Sequence, residues 1–91
     1  MKNLKIIVAH PEVKIQICEN ALCLGEESIA SDRLLSRHIL EALDKLRKEQ
    51  NLTIADIQDI SVQEERPSFS ATRTARMTAM MLGEAWGIAD Q

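Results

Sequence analysis

Residues 31–62 read SDRLLSRHILEALDKLRKEQNLTIADIQDISV, and the period of their apolar positions changes along the way. Between Asp32 and Gln50, Leu35, Ile39, Leu43 and Leu46 recur at spacings of four, four and three, which is one face of an α-helix. Leu34 and Leu40 widen that stripe. Ser31 or Asp32 is placed to cap its start, Lys45, Arg47 and Lys48 suit its negative end, and Asn51 is a natural stop. Thr53 and Asp56 form a capping-box pair for one short turn, after which residues 59–62 read as a strand. A strand that follows a long helix is expected to run parallel to an earlier strand, because the helix carries the chain back across the sheet.

Upstream, residues 4–10 are a β-branched apolar run ended by Pro11, and read as a buried strand. In residues 12–18, Val13, Ile15 and Ile17 alternate with Lys14 and Gln16, as in a strand with one face in water. Glu19 and Asn20 suit a two-residue turn, and residues 21–27 would return as a third strand, making an antiparallel meander.

Downstream, residues 63–67 read as a polar connection, and Ser68 or Ser70 opens a second helix running to about Trp86, with Gly87 as its left-handed stop. Ala71, Ala75, Ala79, Leu82 and Trp86 share one stripe of it, and Thr74, Met77, Met81 and Ala85 a second, offset one. One stripe is enough to cover a sheet. The second, made of methionines and small residues, suits a further packing partner. The expected order is β-β-β-α-β-α: one α/β domain over residues 1–91, with a mixed four-stranded sheet and two principal helices. A fifth strand is expected after Gly87 and Ile88, and without it the fourth strand is an open edge.

Ninety-one residues suffice for a single modest core, and with one Phe, one Trp and no Tyr, aliphatic side chains and Met must fill it. A net charge of -3 gives no electrostatic case for nucleic acid or a membrane surface. The apolar run at residues 4–9 is too short for a secretory signal, and no segment is long and apolar enough to span a bilayer. A cytoplasmic chain with Cys18 and Cys23 reduced is expected, and ligand spacing for zinc is absent.

Residues capable of chemistry are few. His10 ends the first strand without a carboxylate or Ser tied to it by spacing, and His38 lies alone on the first helix. Cys18 and Cys23 flank the first hairpin turn and would share a sheet face there, where small packing residues are the simpler reading. Arg66, Arg73 and Arg76 surround the start of the second helix, a candidate anion site, but the stretch lacks the glycines that let backbone amides wrap a phosphate.

The segment from Ser31 to Ile88 resembles the N-terminal half of the TsaB (YeaZ) family, involved in making threonylcarbamoyladenosine on tRNA. Ser31, Arg33, Leu34 and Leu35 are similar to the family's SERLL pattern. Leu52, Thr53, Asp56, Ile57, Ile60 and Val62 are similar to its GLTLADLDAIAV segment. Ser68, Phe69, Ser70 and Arg73 are similar to SFTGLR, and Leu82, Gly87 and Ile88 to the end of its second helix. Two departures stand out. The first strand ends in AHPE where the family has DTS, a remnant of a phosphate-binding loop. The glycines of GPGSFTG give way, with Arg66, Pro67 and Ala71 in that stretch.

The resemblance implies one lobe of an actin-like (ribonuclease H-like) fold without catalysis, cofactor or metal. It would act as an assembly module that contacts a TsaD-type partner, or a second copy, through its helices. The residues expected at that contact are Leu35, Ile39, Leu43, Ser68, Phe69, Arg73, Ala75, Ala79 and Leu82. Two other readings stand beside it: a stand-alone homodimeric structural protein with no role in tRNA modification, and a minimal ligand-binding or hydrolase fragment using His10, Arg66 and Arg73.

Overall fold

A computed structural model describes residues 2–88. The elements run β1 (Lys2–Ala9), β2 (Glu12–Glu19), β3 (Leu22–Ala30), α1 (Leu35–Glu49), a 3-10 turn at Ile54–Asp56, β4 (Ile57–Arg66) and α2 (Phe69–Ala85). The sheet order is β3-β2-β1-β4, with β1–β2 and β2–β3 antiparallel and β1–β4 parallel. This is the mixed four-stranded α/β architecture and element order expected from the pattern.

Both helices cover one face of the sheet, α1 over β2 and β3, α2 over β1 and β4. Leu4, Ile6 and Val8 of β1 and Val13, Ile15 and Ile17 of β2 point into this layer, as period 2 dictates. They meet Leu35, Ile39, Leu43 and Leu46 of α1 and Ala71, Ala75 and Leu82 of α2. Each large aliphatic buried there contributes on the order of 2 kcal/mol by leaving water. The opposite face is polar and hydrogen-bonded across strands: Gln16 Nε2 donates to Glu26 Oε1 at 2.6 Å and Ser28 Oγ to Glu12 Oε2 at 2.8 Å. Ile7, alternating with the core positions of β1, stays buried on that face between its register neighbours Lys14 and Gln63. The aliphatic stems of long polar side chains provide such cover.

Both helices end in the Schellman arrangement. Asn51 (φ 55) closes α1, with Asn51 N–H donating to Lys48 O at 3.1 Å and Leu52 N–H to Arg47 O at 2.9 Å. Gly87 (φ 68) closes α2, with Ile88 N–H donating to Gly83 O at 2.8 Å. The Thr53–Asp56 pair forms as expected: Asp56 Oδ2 accepts from Thr53 N–H at 2.8 Å and from its hydroxyl at 3.1 Å.

Several boundaries differ from the sequence reading. The first turn falls at Asn20 and Ala21, because Asn20 takes the left-handed conformation (φ 56) while Glu19 stays paired with Lys2 and Leu22. β3 runs to Ala30 with a bulge opposite Ile17/Cys18. α1 starts at Leu35, because Asp32 Oδ1 accepts the Leu34 N–H at 2.9 Å in a turn ahead of the helix. Leu34 therefore lies outside the stripe and is half exposed. The largest difference is β4. Residues 63–66, read as a connection, remain paired with β1 as far as Ala9↔Arg66, since backbone pairing at an edge accepts charged side chains that reach solvent.

Candidate functional site

The nine residues expected at a protein contact divide sharply. Ile39 and Ala75 are fully buried, and Leu35, Leu43 and Leu82 nearly so; all five build the core beneath the helices. They are the inner side of the helix layer, because the face that repeats most regularly is the one a sheet selects. Ala79 and Ser68 are half-buried, and Arg73 and Phe69 lie outside.

The apolar surface left to solvent lies elsewhere on α2. Phe69 is 83% exposed, Met80 66%, Met81 63% and Met77 53%. On α1, Leu40 is 43% exposed. Four large apolar side chains on one seventeen-residue helix, with the core already filled beneath them, make an exposed apolar face. Met77 and Met81 belong to the second stripe visible in the sequence. Met80 and Leu40 fall outside the residues expected at a contact, though Met80 follows Phe69, Arg73, Arg76 and Met77 at helical spacing.

Beside this face, α2 and the outer edge of β4 enclose a groove of about 550 Å³. Its strand side is residues 59–62 and its helix side includes Arg76, Ala79, Met80, Gly83 and Glu84. Asp59 Oδ1 is buried there without a hydrogen-bond donor. A shallower apolar depression of about 430 Å³ lies around Pro67, Phe69, Thr72 and Met77.

The candidates for chemistry do not assemble into a site. His10 is exposed at the β1–β2 turn; its backbone N–H donates to Arg66 O at 3.0 Å, so the two residues meet through backbone. Arg76 Nη2 donates to Glu64 Oε1 at 3.4 Å, an exposed strand-to-helix contact. His38 stands between Asp32 (3.4 Å) and Glu41 (3.6 Å) on the surface. Among the described residues no group of three or more His, Cys, Asp or Glu side chains could hold a metal. Cys18 and Cys23 are directly paired in the β2–β3 ladder and both are free thiols, Cys18 buried and Cys23 exposed. Burial, then the neighbouring Cys23, push the Cys18 thiol above its ordinary pKa. No helix among the described residues is long and apolar enough to cross a membrane.

No known family matches the sequence, and no curated protein matches it. Solved structures do match the fold. One is described as YeaZ from Pseudomonas aeruginosa, with a TM-score of 0.79 at 15% identity, over 96% of this chain and 40% of that one. Another, an uncharacterized protein with similarity to peptidase YeaZ from the same organism, has a TM-score of 0.80 at 15% identity over the same shares. The chain therefore shares the fold of part of these YeaZ-like structures, and spans 40% of the length of these solved neighbours.

Proposed function

We propose that this lobe is a non-catalytic, TsaB-like assembly module, supporting tRNA threonylcarbamoyladenosine modification by docking the outer face of its helices on a TsaD-type protein. The observation that carries this reading is the exposure of Phe69, Met77, Met80 and Met81 on α2 above a core that is complete without them. Methionine adapts to irregular partner surfaces, and such a face is most stable when covered. The TsaD-type partner is taken from the resemblance of residues 31–88 to the TsaB family, with which the YeaZ-like fold agrees.

The test is light scattering during size-exclusion chromatography, with and without the TsaD-type protein of the same organism. A heterocomplex is expected, and Met81→Glu is expected to abolish it while leaving the lobe folded. A chain that ignores TsaD but self-associates through Met81 would instead be a stand-alone dimer. Loss of neither complex nor self-association on Met81→Glu would remove this face from the reading.

A further inference from the structure

We propose that Cys18 and Cys23 form a two-thiolate site for a soft monovalent cation, Cu(I), held in a line between β2 and β3 near the tip of their hairpin.

The hairpin puts the two sulfurs where such an ion needs them. Asn20 and Ala21 make a two-residue turn, and Glu19 and Leu22 are the pair that closes it. Cys18 and Cys23 are the next pair, directly opposite in the ladder. The pair closing a two-residue turn is hydrogen-bonded, so the next is of the non-hydrogen-bonded kind, in which side chains stand closest. Cβ atoms in such a pair are about 5 Å apart. A cation between two sulfurs spans roughly 4.6 Å, twice a metal–thiolate bond of about 2.3 Å. Small rotations of the two side chains match that span. The thiols already meet: after burial and the charge of Cys23, a hydrogen bond between the two raises the Cys18 pKa.

The surroundings suit a bis-thiolate complex. β3 bulges at Leu24, since Ile17 faces Gly25 while Cys18 faces Cys23, and a bulge re-aims the side chains beside it. Cys18 Sγ donates to Gln16 Oε1 at 3.8 Å, and Cys23 Sγ to Gly25 O at 3.4 Å. Each thiol proton thus has its own acceptor, and binding releases both: two RSH and Cu(I) give RS–Cu–SR, with one net negative charge, and two protons. Lys5, opposite Gln16 on the same sheet face, is the cation that offsets this charge, while Glu26 opposes it.

The donor set selects the ion. Thiolates are soft ligands, taken by Cu(I), zinc and iron–sulfur clusters. Structural zinc and the clusters want four protein ligands, and among the described residues no group of three or more His, Cys, Asp or Glu side chains stands together. A cation satisfied by two thiolates is what remains. Cys23 is exposed and Cys18 buried, so the ion arrives at Cys23 and is completed by Cys18, whose sulfur a bare cation reaches where a bulky reagent does not.

The experiment is an oxygen-free titration of the reduced chain with Cu(I) supplied as its bicinchoninate complex. The chain is expected to withdraw one Cu(I), with a new thiolate-to-copper absorption in the ultraviolet and release of two protons. Cys18→Ser and Cys23→Ser should each lower the affinity by more than about 100-fold, beyond what loss of an outer-shell partner costs. The double variant Leu22→Cys/Cys23→Ser keeps two thiols in the hairpin but sets them on opposite faces of the sheet, and should not recover binding. Leu22 and Cys23 are both exposed, so that variant stays informative even where Cys18→Ser, at a buried position, fails to fold; circular dichroism checks each chain. Binding that survives Cys18→Ser in a folded chain, one Cu(I) shared by two chains through Cys23, recovery in the double variant, or no withdrawal of Cu(I) by wild type would each overturn the proposal.

Discussion

Gly25 of β3 lies so close to α1 that a Cβ there would stand 3.1 Å from Leu46 Cδ2 and 3.2 Å from Gln50 Nε2. This contact is where the first helix seats on the edge of the sheet. Gln50 also donates to Leu24 O at 3.0 Å, tying the end of α1 to the bulged part of β3. Gly25→Val should therefore push the helix off the strand, at a cost of about 1–3 kcal/mol by overpacking. Gly25→Ala should cost less, because Leu46 and Gln50 are side chains with room to shift. Urea denaturation of the two variants checks the order; a valine variant as stable as wild type would show that the seat is loose.

Thr72 is expected to be a site of easy stabilisation. Its Oγ1 is buried without a hydrogen-bond partner. Replacing a hydroxyl that is dry and unpaired by a methyl group removes a desolvation penalty, so Thr72→Val should raise stability by about 1 kcal/mol. Thr78 is the internal control. Its buried hydroxyl donates to Thr74 O at 2.8 Å, and Thr78→Val should give no such gain. A thermal melt of both variants separates the two cases.

The left-handed stops should respond to substitution according to their backbone. At Gly87 (φ 68) any side chain is strained, and Gly87→Ala should cost about 1 kcal/mol. At Asn51 (φ 55) the native residue already tolerates the conformation, so Asn51→Gly should be neutral or slightly stabilising, while Asn51→Val should be clearly destabilising. Comparing the melting temperatures of these variants with that of wild type checks the ranking.

Acid should remove a small, identifiable part of the stability. The Thr53 backbone N–H and then its hydroxyl hold the Asp56 carboxyl below its ordinary 3.8, and Arg47 and Lys48 do the same for Asp44. Carboxyls with folded values below the unfolded one stabilise fully above the unfolded value. That contribution is lost as pH falls through the folded value. Melting temperature should therefore decline below about pH 4, and Asp56→Asn should flatten the decline. Both groups are at the surface, so the effect is modest and salt-sensitive.

The paired thiols should differ in reactivity. Cys23 is exposed, whereas burial and the adjacent thiol raise the pKa of Cys18 and reduce its thiolate fraction. With a disulfide reagent, native protein should show one fast thiol, and the second should react only on unfolding. Cys23→Ser should abolish the fast phase.

Much of the fold was legible in residues 31–62 alone. Leu35, Ile39, Leu43 and Leu46 all reach the core, and the period change on either side of them marks an α/β chain with β4 parallel to an earlier strand. Asn51 and Gly87 end their helices as their backbone freedom implies. These features are local: a side-chain period or one residue's φ preference carries them. Three others needed the tertiary structure. β4 extends to Arg66 because pairing with β1 is made by backbone, which a run such as QEER does not advertise. Gly25 is small because α1 lies against it, a contact between residues distant in sequence. The free face of α2 was the hardest to read. Alanine and methionine stand on several sides of that helix, so periodicity alone cannot choose among them. Packing chose, burying Ala71, Ala75 and Leu82 against β1 and β4 and leaving Phe69, Met77, Met80 and Met81 outside.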